Sequence, residues 1–288
     1  MTRLRRLVDD VVWGPETGAR LLVVHTGLSI LIGVRIVFGP YRALAETPPG
    51  LFDPVPILAW LDRMPAVGVV VALQVVGGLA ALAAALRRHP RVAFAVAWGC
   101  YLVLAGLRGS RGKVLHNDLL LLWASAAFLL APLALTWHDR TPRRENGWPI
   151  RVAMTVTALV YFLAGYHKLR RSGIDWAIGD NVRYMMLWGP SIGRARWEGL
   201  ARWVGENLWA ARATGTFILG LELTFPVALV VRGLRPLYVV AAVFLHVTTW
   251  FVLGLDYWAW AATVPLLFVD WPALLASRRT RDAFITPA

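Results

Sequence analysis

The stretch Tyr161-Phe-Leu-Ala-Gly-Tyr-His-Lys-Leu-Arg-Arg-Ser-Gly-Ile-Asp-Trp176 puts a histidine and a lysine at the point where an apolar run gives out. Tyr161, Ala164, Gly165 and Lys168 recur at helical spacing, so one helix face would carry an aromatic ring, two small residues and an amine. The small residues would let a neighbouring helix come close. A lysine partly withdrawn from water, with His167, Arg170 or Arg171 nearby, would give up its proton more readily and could serve as a base. The same residues also have a plainer use, because a lysine at a membrane helix end can snorkel its ammonium into the headgroups.

Further groups fall where they could join that lysine. His116, Asn117 and Asp118 open an apolar run over about 115–136, and Arg35 lies near the end of the first such run. If the runs are antiparallel helices, Arg35, His116 and Lys168 reach the same membrane face. Asn117 and Asp118 are also favourable simply as helix-start residues. Glu222 and His246 each interrupt an apolar run near its middle, where ionisable groups are costly and are usually paired or functional. A Glu222–His246 contact would satisfy both.

The elements that must position these groups follow from composition. Of the 288 residues 58% are hydrophobic, mean hydropathy is +0.56 and there are 15 Trp. Apolar runs of membrane length recur along the chain, so the expected fold is an all-α integral membrane protein, a bundle of about eight transmembrane helices. The spans fall at about 21–38, 66–86, 92–107, 115–136, 149–169, 213–231, 236–253 and 258–275. No linker separates two halves, which predicts one domain over 1–288. A cytoplasmic segment 1–20, a turn-rich outer loop 39–65 and a tail 276–288 complete it. The segment 170–212 interleaves Trp176, Trp188, Trp197, Trp203 and Trp209 with arginines, as helices lying in the membrane interface would.

The net charge of +13 reflects arginines clustered between the apolar runs, which speaks for orientation rather than nucleic-acid binding. Arg3, Arg5 and Arg6, then Arg87 to Arg91, Arg140 to Arg144, Arg232 to Arg235 and the tail arginines Arg278, Arg279 and Arg281 share one side under eight spans. That side is expected to be cytoplasmic, as are both termini, in a bacterial plasma membrane. Two basic segments fall on the outer side, Arg108 to Lys113 and Lys168 to Arg212; the short one suggests an anionic ligand or headgroup. The first apolar run is too long and too far from Met1 for a signal peptide. The lone Cys100 excludes an intramolecular disulfide and cysteine-based metal sites, and reads as a packing residue. HExxH, CxxC, GxSxG and phosphate-binding glycine loops are absent, so no metal is expected.

Tyr161-Phe-Leu-Ala-Gly-Tyr-His-Lys-Leu followed by Asp175-Trp176 resembles the lysine-bearing segment of the vitamin K-dependent gamma-glutamyl carboxylases, which is shared with the HTTM (horizontally transferred transmembrane) domain proteins. Gly33-Val-Arg35-Ile-Val-Phe-Gly39 is similar to that family's first span, and His116-Asn-Asp-Leu-Leu-Leu121 to the segment bearing its functional histidine. The resemblance implies that Lys168 matches the base that deprotonates a reduced quinone of the vitamin K or menaquinol type. Oxygen then generates a strong base that removes a substrate proton, and CO2 is trapped at the carbanion. His116 would match the histidine supporting carboxylation; Arg35, Asn117, Tyr161, His167, Glu222 and His246 would line the quinone or substrate. The carboxylases add a large soluble region that this chain does not contain, and they carry a second lysine where this chain has His167. The substrate is therefore left open. The competing expectation is a non-enzymatic membrane protein that binds or matures an exported peptide or lipid, with membrane lipids as partners.

Overall fold

The computed structural model describes residues 9–111, 116–133 and 135–276. Arg3, Arg5, Arg6, Lys113, Arg278, Arg279 and Arg281 lie outside the described residues. Apart from one antiparallel two-residue strand pair, Glu16–Thr17 against Pro142–Arg143, the described chain is helical. It divides into two compact units, residues 12–153 joined by 270–276, and residues 154–269 joined by 9–11, and each is described by itself.

The first unit is built on α1 (Gly18–Phe38), α2 (Val67–Ala85) and α3 (Pro90–Gly109). Thr17 caps α1, its hydroxyl accepting from the Arg20 N–H at 3.1 Å. Gly33 faces Ala81, Gly78 faces Val37 and Gln74 Nε2 donates to the Ile36 carbonyl at 2.8 Å, so α1 and α2 run antiparallel. At Gly77 an added Cβ would lie 2.7 Å from the Cys100 Cβ, so α2 and α3 approach closely where a glycine faces a small side chain. The loop 39–65 forms three short 3-10 turns and docks on the end of α3 through Asp53 and Val55, whose N–H groups donate to the Ser110 carbonyl and hydroxyl.

The second unit begins within α5 (Arg144–Ser172) and continues through α6 (Asp175–Ile178), α7 (Asn181–Ser191), α8 (Glu198–Glu206), α9 (Leu208–Thr224), α10 (Val227–Val230), α11 (Arg235–Leu253) and α12 (Trp258–Phe268). One core cluster gathers Val182, Met186, Ala201, Val204, Ala211, Val252 and Leu253. Another is aromatic: Tyr161 stacks on Phe225 at 4.2 Å, and Trp260 meets both Tyr161 and His246 edge-on.

Among the described residues five helices are long and apolar enough to cross a membrane: Gly18–Phe38, Val67–Ala85, Pro90–Gly109, Arg144–Ser172 and Arg232–Leu253. The other three expected runs are interrupted, each for a local reason. The run at 115–136 gives a 3-10 turn at His116–Asp118, α4 (Leu119–Ala126) and a 3-10 turn at Ala127–Leu130, then stops where Ala131 turns extended before Pro132. Arg87 and Arg91 then hydrogen-bond the freed carbonyls of Leu133 and Ala131. The run at 213–231 breaks at Pro226, which lacks the N–H that would continue α9. The run at 258–275 ends at Phe268 and restarts at 271, the Asp270 carboxylate accepting from the Ala273 N–H at 3.2 Å as a new cap. The three short helices α6, α7 and α8 occupy the segment 170–212.

The Gly77 contact is testable through the single cysteine. Gly77→Leu overpacks α2 against α3, at a cost of about 1–3 kcal/mol. Cys100, 9% exposed, is expected to react slowly with a maleimide in the purified wild type and several-fold faster in the variant; equal rates would mean that the helices do not depend on this contact.

Candidate functional site

In the second unit the expected face of α5 is the buried one. Tyr161 and Gly165 are buried, Ala164 and Lys168 half-buried, while Phe162, Leu163, Tyr166, His167 and Leu169 are exposed. Gly165 is the reason α9 can lie so close, since a Cβ there would sit 2.9 Å from the Glu222 Cβ and 3.1 Å from the Leu223 backbone nitrogen. That approach brings the Lys168 ammonium onto the Glu222 carboxylate, donating to Oε1 at 2.5 Å and Oε2 at 2.6 Å. The Lys168 side chain keeps 26% of its accessible surface and that of Glu222 10%. The ammonium also stands 5.0 Å from the centre of the Trp176 ring, within cation–π range. Gly215 supports this arrangement, because its missing Cβ leaves room for the Ala177 carbonyl and so seats α6, which carries Trp176, on α9.

Tyr161 lies about two turns before Lys168 on α5. Its hydroxyl is 2.6 Å from His246 Nε2 on α11, and both side chains are buried. Tyr257, between α11 and α12, completes the cluster, its ring 5.5 Å from that of His246. Burial, with a further contribution from the Glu222 charge, pushes its hydroxyl up to about 12, so Tyr257 stays a proton donor at neutral pH.

Two expectations are corrected here. Glu222 pairs with Lys168 and His246 with Tyr161, in place of the expected Glu222–His246 contact. Consequently the nearest charge to Lys168 is a carboxylate rather than a cluster of cations. Glu222 and Lys168 also share one level along the helix axes, although residue counting put one at mid-run and the other at a helix end. The reason is that α9 runs antiparallel to α5, and Leu208 to Glu222 extends about 21 Å past the pair at 1.5 Å per residue. His167 points away from this face; it is exposed and its ring lies 5.9 Å from that of Tyr166.

The first unit holds the remaining expected residues around a different centre, Asp118. Arg35 Nε donates to Asp118 Oδ1 at 2.5 Å, the Tyr101 hydroxyl donates to the same oxygen at 2.9 Å, and an Arg108 nitrogen donates to Oδ2 at 3.0 Å. Arg35 and Asp118 are each 2% exposed, and Asn117 beside them 7%. His116 is exposed. Arg108, expected to mark an outward-facing ligand site, is thus engaged by an internal carboxylate.

Sequence reading passes over Tyr101, Tyr257 and Trp260; it names Asp118 only beside His116 and Asn117, not as a partner of Arg35, and Trp176 only as part of a motif and of an interfacial segment. For Asp118 a signal existed: Arg35 inside an apolar run requires an anion, and Asp118 is one of few carboxylates adjoining such a run. No protein-family model, curated protein or solved structure matches this chain.

The Asp118 cluster predicts a large stability effect. Asp118→Ala leaves the buried Arg35 without its carboxylate, for an expected loss of about 3–5 kcal/mol. Thermal unfolding of the purified protein in detergent should show a clearly lowered midpoint, with Asp118→Asn in between; an unchanged midpoint for Asp118→Ala would contradict the cluster.

Proposed function

We propose that this chain is a multi-pass integral membrane protein that carries out quinol-linked proton-transfer chemistry at a site centred on Lys168 and Glu222, as its resemblance to the vitamin K-dependent gamma-glutamyl carboxylases and HTTM-domain proteins implies. The observation that supports this reading most is the Lys168–Glu222 pair, held within hydrogen-bond distance on a helix face otherwise made of Tyr161, Ala164 and Gly165.

The five long apolar helices would form the membrane core. The three interrupted runs would bring the crossings to eight, because broken helices are tolerated at membrane depth where protein covers them. An even number places both termini with the basic turns Arg87 to Arg91, Arg140 to Arg144 and Arg232 to Arg235 on the cytoplasmic side of a bacterial plasma membrane, and the site on the outer side. The exposed Trp188, Trp209 and Trp250, each beside an arginine, suit a headgroup layer.

The residues present fit a reduced quinone. An acidic hydroxyl would meet a lysine that keeps a quarter of its side-chain surface accessible, and Trp176 offers an aromatic face beside it. Transfer of one proton from the ammonium to Glu222 leaves a neutral amine next to a carboxylic acid, and in that form Lys168 can take the hydroxyl proton while the restored ammonium stabilises the oxyanion. The bound quinone, with oxygen, would supply the stronger base that prepares a substrate carbon for CO2. Tyr161 and His246 hold each other and thereby fix the inner wall beside Lys168. In this reading His116 serves the carboxylation half. Arg35 is a positioning residue, anchoring through Asp118 the segment that carries Asn117 and His116.

A second reading, non-enzymatic binding of an anionic peptide or lipid, is favoured by the satisfied Lys168–Glu222 charges and by Arg194, Arg196 and Arg212 displayed against tryptophans. The two readings part at Lys168, because a base must lose its proton whereas a binding site needs only the positive charge.

Oxygen consumption by the purified protein in lipid with reduced menaquinone tests the proposal. Wild type should exceed the protein-free rate, Lys168→Ala and Lys168→Arg should fall to it, and Glu222→Gln should lose at least about tenfold. His116→Ala should still consume oxygen. No consumption with any quinol, or full activity in Lys168→Arg, overturns the enzymatic reading.

A further inference from the structure

A groove of about 510 Å3 runs between α1 and α2 in the first unit. Its walls include Ile30, Val34, Leu79 and Leu82, and Gly33 and Gly78 contribute to its floor. Two polar groups lie toward one end. Gln74, level with Ile36, is 8% exposed; its Nε2 donates to the Ile36 carbonyl and its Oε1 has no hydrogen-bond partner among the described residues. Arg42 follows shortly after α1 ends, exposed and with no ion pair among the described residues. From Gln74 the groove continues along α2 to Ala85, about 16 Å at the α-helical rise. Half of a hydrocarbon core about 30 Å thick is nearly the same length.

We propose that this groove binds one anionic phospholipid, an acyl chain lying along α1 and α2 and the phosphate on Arg42. The inference rests on the membrane reading above, but not on any catalysis. Charge selects the headgroup, since the cation at the groove's polar end has no other anion among the described residues. Length selects an acyl chain of a single leaflet. Gln74, buried at the same end, marks where the groove turns from apolar to polar. The small floor residues give the chain its depth; a larger side chain there would fill it.

Two measurements on the full-length protein decide the matter. Flotation with phosphatidylglycerol vesicles tests the membrane reading alone, and protein remaining at the bottom of the gradient overturns both that reading and this one. Native mass spectrometry from detergent then compares phosphatidylglycerol with phosphatidylcholine. Wild type is expected to retain phosphatidylglycerol at least tenfold better. Arg42→Ala should lose that preference and bind both lipids as wild type binds phosphatidylcholine. Leu79→Trp, which fills the groove from its open side, should retain neither, while its lipid-free unfolding midpoint matches wild type. Equal retention of the two lipids by floating wild type overturns the proposal while leaving the membrane reading standing. So does phosphatidylglycerol retention that Arg42→Ala and Leu79→Trp leave unchanged. Retention of a quinol in preference to phosphatidylglycerol by wild type, lost in Leu79→Trp, would overturn the proposal by assigning the groove to quinone, and a change of oligomeric state in Leu79→Trp would overturn it by assigning the groove to a second copy of the chain.

Discussion

A charge taken out of water must meet its opposite, and the described part of this chain is arranged around that requirement. Withdrawing a single ion from solvent costs several kcal/mol, which only close pairing with good hydrogen bonds offsets. Three carboxylates meet it here. Glu16 receives Arg20 at 2.7 Å and Arg151 at 2.5 Å, Asp118 receives Arg35 and Arg108, and Glu222 receives Lys168. Arg20 and Arg35 stand near opposite ends of α1, so that helix is tied by ion pairs at both ends. Such pairs add fixed points to the register that side-chain packing sets.

Close approach is the second condition. Lys168 reaches Glu222 with short hydrogen bonds because Gly165 removes a Cβ that would otherwise meet α9, and Trp176 reaches the ammonium because Gly215 does the same for α6. A satisfied ion pair that retains some access to the outside combines two properties. It is stable at rest, and it offers a proton acceptor and a proton donor a short distance apart. The buried Tyr161–His246 bond beside it lends rigidity, stacked as it is against Phe225 and Trp260.

Much of this was legible in the chain. The alternation of Tyr161, Ala164, Gly165 and Lys168 with exposed Phe162, Leu163, Tyr166 and His167 follows directly from a helical period. The interruptions were less visible because hydropathy is blind to the backbone. Pro132 and Pro226 sit inside runs that are apolar throughout, and Asp270 acts through a cap that only local geometry creates. The expected Glu222–His246 pairing depends on the register between helices, which counting residues within each run does not fix. Sign would have been the better guide, since a lysine and a glutamate in neighbouring apolar runs are the natural pair.

By itself the sequence determined the helical class, the apolar runs, the face of α5 that turns inward and the list of ionisable groups that burial would make costly. These depend on the identity and spacing of neighbours along the chain, and each can be read within a turn or two. Tertiary structure alone decided which of those groups meet: Lys168 with Glu222 across 54 positions, Arg35 with Asp118 across 83 and Tyr161 with His246 across 85. Such meetings depend on how far one helix slides and turns against another, and that is set by the sum of many weak side-chain contacts together with the few glycines that let backbones touch.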